Sequence, residues 1–192
     1  MQWGLGGIEA FFLGSVARKV SVRSSKSVII AKLPSHKQPD VLKVLFATDG
    51  SDYSRDTGEF LSKMPFYDNT EIRILNVTPL EVMDMPQTFA PDIIEEIIQI
   101  EEKIRETRIN ESKRILEDSK ELLGNRFGNI DVLWRVGDPS REILRTAETL
   151  RSNLIAVGCR GLKGIKGMMG SISRNIVIHA ECSILIGKTC ND

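Results

Sequence analysis

Thiols and imidazoles are scarce in this chain. The three cysteines, Cys159, Cys182 and Cys190, are irregularly spaced, and His36 and His179 are the only histidines. So few groups make neither a disulfide framework nor a zinc site of the Cys/His kind. Neither sign of charge is in excess: 26 Lys and Arg face 26 Asp and Glu. No global field therefore selects nucleic acid or a membrane surface. No apolar run approaches the roughly 20 residues that cross a bilayer. Also missing are a lysine-bearing P-loop, the Gly-x-Gly-x-x-Gly dinucleotide signature, paired carboxylates at a defined spacing, and a nucleophile with its base. What remains predicts a reduced, cytoplasmic setting, no metal site, and a chain of 192 residues long enough for one α/β domain with some left over.

The richest local signal is a glycine run. The apolar stretch 154–157 reads as a buried parallel strand. It is followed by Gly158, Cys159, Arg160 and Gly161, and then by Gly170, Ser171, Ile172 and Ser173. After these, Ile172, Ile176, Val177 and Ala180 recur at helical spacing. A strand, a glycine-rich loop and a helix start form the setting in which main-chain amides and the positive helix end hold a phosphate. Glycine lets the backbone approach an anion closely. Ser171 and Ser173 fall at the helix start, where their hydroxyls add donors.

Strands and helices alternate along the rest of the chain. Residues 41–48 read as a first strand closed by Asp49, Gly50 and Ser51, a turn and helix-cap signature that opens a helix over 52–64. Residues 70–77 form a second strand, 80–91 an irregular loop, and 91–123 a long charged helix. Ile93, Ile94, Ile97, Ile98, Ile104, Ile115 and Leu116 are expected on its apolar side. A third strand covers 129–136. Gly137, Asp138 and Pro139 start a helix with proline in its first turn. The strand at 154–157, a helix from Ser171 and a last strand at 183–186 complete the set. This alternation predicts a doubly wound parallel sheet with helices on both faces. Ligands of such sheets bind beyond the strand carboxyl ends, where the strand order reverses. If the first and fourth strands are neighbours there, Asp49 faces the glycine loop across one crevice.

The two ends of the chain repeat one another. At an offset of 156, Gly14, Ser15, Arg18, Ser27, Ile30 and Lys32 fall on Gly170, Ser171, Arg174, Ser183, Ile186 and Lys188. Val16, Val20 and Val28 meet Ile172, Ile176 and Ile184, and Gly4 meets Gly161 once one loop residue is allowed. Residues 1–32 also have the basic, serine-rich character of a transit peptide, but such a leader has no reason to copy the C-terminus. The repeat predicts that 1–32 is the tail of a first domain, 33–40 a polar linker, and 41–192 a complete domain. Its strand at 27–31 is expected to add antiparallel to the edge at 183–186.

Together these residues resemble the universal stress protein family. The resemblance covers 41–188 as a whole domain and 4–32 as the end of another. It rests on the motif Gly-x2-Gly-x9-Gly-Ser/Thr, which marks family members that bind ATP, and on the strand ending Ala47, Thr48, Asp49, Gly50 and Ser51, with Val77 closing strand two. Eight residues rather than nine separate Gly161 from Gly170, while Gly4 and Gly14 keep nine. The resemblance implies five parallel strands in order 3-2-1-4-5, dimerising through strand five, with the helix and strand at the N-terminus adding an antiparallel edge strand. The chain would thus be a homodimer or an intrachain pseudo-dimer. It further implies ATP with Mg2+ as ligand. Ala47, Thr48, Asp49 and Val77 would hold adenine and ribose. Gly158, Arg160, Gly161, Gly170, Ser171, Ile172 and Ser173 would hold the phosphates.

The expected function is therefore an ATP-binding regulatory module of the stress response, at most a slow ATPase, because fast phosphoryl transfer needs positioning and charge-stabilising groups the sequence lacks. Two alternatives stay open. One is a nucleotide-free scaffold acting through dimerisation, which the shortened loop favours. The other is a different adenine-containing ligand such as a dinucleotide, disfavoured because the glycines follow the fourth strand, not the first. Asp49 at the crevice is expected in a ligand role rather than as a plain helix cap, Cys159 as a small buried residue rather than a reactive thiol, and His179 as a complement to a helix C-terminus.

Overall fold

The computed structural model describes residues 15–32, 40–80, 91–162 and 169–188, with the side chains of 15–18 and 91–96 left aside. Residues 81–90 of the expected loop, most of the linker, the N-terminal glycines and the middle of the shortened loop fall outside the described residues.

Among the described residues eleven elements follow one another: α1 (Ser15–Arg23), β1 (Val28–Ile30), β2 (Lys43–Ala47), α2 (Asp52–Ser62), β3 (Glu71–Thr78), α3 (Pro91–Gly124), β4 (Asn129–Val136), α4 (Pro139–Thr149), β5 (Leu154–Gly158), α5 (Ser171–His179) and β6 (Ser183–Gly187). Six strands make one sheet in the order β1-β6-β5-β2-β3-β4. β2 pairs in parallel with β3 and β5, β3 with β4, and β5 with β6. Only β1 is antiparallel, on β6. Counted from β2, the five parallel strands thus follow the order 3-2-1-4-5, with β1 as the added edge.

The central strands are buried on both faces, which is why their sequences read as unbroken apolar runs. Alternation sorts their side chains by face. Val44 and Phe46 of β2 join Ala156, Leu185, Leu61 of α2 and Leu116 and Leu123 of α3. Leu45 and Ala47 face the other way, onto Ile155, Val157, Ile184 and Ile186 with Ile143 and Ala147 of α4 and Ile176 and Val177 of α5. Tight packing fixes two glycines in this frame. A Cβ on Gly58 would lie 2.7 Å from Leu122, and one on Gly187 would lie 1.9 Å from Thr57 Oγ1.

The expected elements differ from the observed ones by a few residues at their ends, and one expectation fails outright. Ile98 and Ile104 are 46% and 42% exposed rather than packed. α3 has 34 residues, about 51 Å at 1.5 Å per residue, whereas the strands it covers have 8, about 26 Å. The sheet is too short for the helix: residues 98–107 are exposed, and burial resumes only with Ser112, Leu116 and Leu123.

Candidate functional site

β2 and β5 are neighbours whose chains leave the sheet in opposite directions, β2 toward β3 and β5 toward β6. A crevice of about 610 Å³ opens at their carboxyl ends. Every residue expected to touch a nucleotide lines it: Ala47, Thr48, Asp49 and Val77, together with Gly158, Arg160, Gly161, Gly170, Ser171, Ile172 and Ser173.

The β2 side is a stitched turn. The Thr48 amide donates to the Leu75 carbonyl at 3.0 Å, and Asn76 Nδ2 donates to the Thr48 carbonyl at 2.9 Å, tying the end of β2 to β3. Gly50 takes φ +77, the left-handed region that glycine enters without penalty, and sets Ser51 as the N-cap of α2. Ser51 Oγ accepts from the Ser54 amide at 3.3 Å. Asp49 is thus not the cap. Its Oδ1 accepts from the Ser51 amide at 3.1 Å and the Ser51 hydroxyl at 2.6 Å, while Oδ2 accepts from the Leu162 amide at 3.0 Å. One carboxylate therefore braces both the β2 turn and the loop that follows β5.

The glycines of that loop have different reasons. A Cβ on Gly158 would lie 3.0 Å from the Tyr53 backbone and 3.1 Å from the Ser54 nitrogen, and one on Gly161 would lie 2.5 Å from Asp49 Oδ2. Both are demanded by close approach within the protein. Gly170 is not: the nearest atoms to a Cβ there are at 3.5 Å, and its φ is an ordinary −62.

Several donors turn inward. The Gly170 amide donates to the Cys159 carbonyl at 2.9 Å, the Ser173 hydroxyl to the Gly158 carbonyl at 2.7 Å, and the Cys159 amide to the Gly187 carbonyl at 2.7 Å. Arg160 is 7% exposed. Its guanidinium lies 4.7 Å from the Tyr53 ring centre and donates to the phenol oxygen. The first turn of α5 remains. Gly170 caps it without a side-chain bond, and Arg174 is the first residue whose amide reaches a helix carbonyl, that of Gly170 at 3.0 Å. The amides of Ser171, Ile172 and Ser173 therefore have no intrahelical acceptor and sit at the positive end of the helix.

The far wall went unforeseen. Arg108, Glu111, Ser112 and Ile115 of α3 line the crevice, with Thr78, Pro139 and Ile143. Thr78 Oγ1 lies 2.9 Å from Ser112 Oγ and accepts from Trp134 Nε1 at 2.9 Å, joining β3, α3 and β4. The spacing i, i+3, i+4, i+7 of those four α3 residues is one helix face, and it was the available signal. Among the described residues no group of three metal-ligating side chains gathers, and no helix is long and apolar enough to cross a membrane.

Residues 41–188 match the universal stress protein family. The chain is 30% identical over 145 residues to universal stress protein YxiE of Bacillus subtilis, an alignment covering 75% of this chain and 97% of that protein. A crystal structure of a universal stress protein in complex with cAMP superposes with a TM-score of 0.54 at 20% identity, over 77% of this chain and 97% of that one. A functionally unknown protein, PA1789 of Pseudomonas aeruginosa PAO1, superposes with a TM-score of 0.67 at 15% identity, over 99% of this chain and 62% of the other.

Proposed function

The chain belongs to the universal stress protein family, a family of stress-response proteins, and from that premise we propose that its crevice binds ATP as a regulatory ligand, with slow hydrolysis at most. The observation that carries this reading is the uncapped first turn of α5 beside Gly170, whose missing side chain leaves the crevice open where no protein atom requires it. A polyphosphate is the chemistry that fits main-chain donors at a positive helix end.

The volume lies within the range of small-molecule sites, about 300–1,000 Å³. On the β3 side Ala47, Leu75, Val77 and Ile115 offer an apolar slot for a purine, with Thr48 and Asp49 beside the ribose. On the β5 side Gly158, Arg160 and Gly161 border the phosphates, and the amides of Ser171, Ile172 and Ser173 with the exposed Ser171 hydroxyl donate to them. The relative described with cAMP supports an adenine nucleotide of some kind. Mg2+ would neutralise charge on the triphosphate. Asp49 already accepts three hydrogen bonds, and among the described residues Glu111 is the other carboxylate lining the crevice. The ion would thus be held mainly by phosphate oxygens and water. Among the described residues no imidazole lines the crevice, so ATP is proposed as a regulatory ligand with slow hydrolysis at most.

The inward bonds of the Leu162 and Gly170 amides and the Ser173 hydroxyl favour the second reading, a scaffold of the same fold without nucleotide. Titration decides between them. ATP at a hundred times its Kd adds about 2.7 kcal/mol, which for a chain of this size raises Tm by about 5–10 °C. No shift at millimolar ATP, and no nucleotide released by acid from freshly purified protein, rejects ATP binding.

A further inference from the structure

The sheet ends differently at its two sides. One side is β1, with 3 residues. The other is β4, with 8 residues, paired among the described residues with β3 alone. Long edges are usually blunted by lysine, proline or a bulge. β4 holds neither lysine nor proline, and its register with β3 runs unbroken from Asn129 to Val136. Ile130 packs with Leu116 and Leu123 of α3, and alternation puts Val132, Trp134 and Val136 on the same face, where all three are exposed. Leu133 packs on the other side, toward Ile143 and Ala147 of α4. The two charged residues of the strand, Asp131 and Arg135, flank it on that face.

The backbone groups of the open edge follow from one hydrogen bond. The Gly137 amide donates to the Thr78 carbonyl at 3.0 Å, so odd-numbered residues of β4 turn their N–H and C=O toward β3. Ile130, Val132, Trp134 and Val136 therefore turn theirs outward, because these groups alternate along a strand. The Trp134 carbonyl is held for the present by Arg135 Nη1, which donates to it at 2.9 Å.

A second β4 running antiparallel matches outward residues with outward residues when the two-fold axis passes through a residue. An axis at Asp131 or Arg135 would set like charges face to face. An axis at Val132 or Trp134 would set Asp131 against Leu133 or Gly137. Only the axis at Leu133 brings Asp131 opposite Arg135 of the second copy, and does so twice. It also sets Val132 against Trp134 and Ile130 against Val136. Opposite charges and aromatic with β-branched residues are the stabilising cross-strand pairs. Asp131 and Arg135 fall in non-hydrogen-bonded pairs, whose side chains stand closer. Asp131 has charge to spare: it shares the Arg73 guanidinium with Glu71, at 3.2 and 3.6 Å.

We propose that β4 is a self-complementary edge at which two copies of this chain join, antiparallel about Leu133, into one continuous sheet. On pairing, the Trp134 carbonyl passes to the Val132 amide of the second copy, and the Arg135 guanidinium swings to the second copy's Asp131. No residue of β4 lines the crevice, so the pairing stands apart from nucleotide binding.

The test uses the full chain. The unsubstituted protein is expected to sediment at twice the chain mass. R135D sets two carboxylates opposite each other at both ends of the pairing. It is expected to raise the dimer dissociation constant about tenfold or more, with unchanged circular dichroism. A monomeric unsubstituted protein, or an R135D dimer of undiminished affinity, overturns the proposal. A second measurement holds even if R135D fails to fold. Oxidised L133C is expected to give an interchain dimer band on a non-reducing gel that the unsubstituted chain lacks. Its two thiols would face each other in a non-hydrogen-bonded pair, with Cα atoms about 4.5 Å apart, within reach of a disulfide. V136C is the control, because its thiols would stand about 20 Å out of register. No band from L133C, or equal bands from both variants, overturns the pairing about Leu133.

Discussion

Asp49 and Gly161 stand so close that a Cβ on the glycine would meet Asp49 Oδ2 at 2.5 Å. The carboxylate is the movable partner, so Gly161→Ala displaces it and breaks its bond to the Leu162 amide. A hydrogen bond to a charged group is worth about 1.5–3 kcal/mol. The loop after β5 then loses its tether to the β2 turn. ATP affinity is expected to fall about tenfold or more by isothermal titration, with Tm lowered by only a few degrees. Unchanged affinity means that the tether does not shape the nucleotide site.

Gly187 makes the opposite kind of demand. Its absent Cβ would overlap Thr57 Oγ1 at 1.9 Å and the Thr57 Cα at 2.9 Å, and a helix backbone does not step aside as a carboxylate does. Gly187→Ala is expected to push α2 off β6 and cost about 1–3 kcal/mol, the usual range for overpacking. Urea unfolding should record a lower midpoint at an unchanged m-value.

The central parallel strands were legible because burial on both faces writes them as apolar runs, as in 154–157 before Gly158, whereas β4, a mostly exposed edge strand, was legible from its β-branched and aromatic residues and the Gly137 that bounds it. The β5 loop and the Asp49 turn were legible because glycines and a helix cap are local signals. α3 was harder. Its isoleucines recur throughout, and periodicity alone cannot tell that the sheet ends before the helix does, so Ile98 and Ile104 read as core although they are exposed. The same helix hid Arg108, Glu111 and Ser112 among many charged residues. Their place on the crevice depends on the crossing of α3 over β3, a tertiary fact. The inward bonds of Gly170 and Ser173 were illegible for the same reason: sequence locates a donor without revealing which acceptor folds against it.

Cys182 gives a pH signature. Burial is the largest cause that pushes its thiol from 9.0 up to about 11, so the fold favours the protonated form. Stability from this group is complete below pH 9, where the unfolded thiol is also protonated, and is lost as pH rises toward 11. Two units correspond to a loss on the order of 2 kcal/mol. Lys32 opposes it: burial lowers its pKa, so the folded state sheds that proton first and gains stability over the alkaline range. The comparison is therefore made against Cys182→Ala, which keeps Lys32. Between pH 9 and 11 the unsubstituted protein should lose Tm more steeply than the variant, and parallel curves would remove Cys182 as the cause.

Gly170 separates a ligand requirement from a folding one. Its φ of −62 and ψ of 157 suit any residue, and a Cβ would meet nothing nearer than 3.5 Å. Its amide bond to Cys159 survives substitution. Alanine at 170 is thus expected to cost no more than about 1 kcal/mol, the ordinary cost of alanine at a helix N-cap. The same methyl group would stand in the crevice beside the first-turn amides of α5, where a phosphate has to come within about 3 Å of the main chain. Gly170→Ala should therefore fold normally and lose the ATP-induced rise in Tm, with affinity down at least tenfold. Gly158→Ala serves as the contrast: its Cβ collides with the backbone of Tyr53 and Ser54, so it should lose stability first and binding only as a consequence. If Gly170→Ala keeps both its stability and its thermal response to ATP, polyphosphate does not lie over the N-terminus of α5, and the scaffold reading gains the crevice.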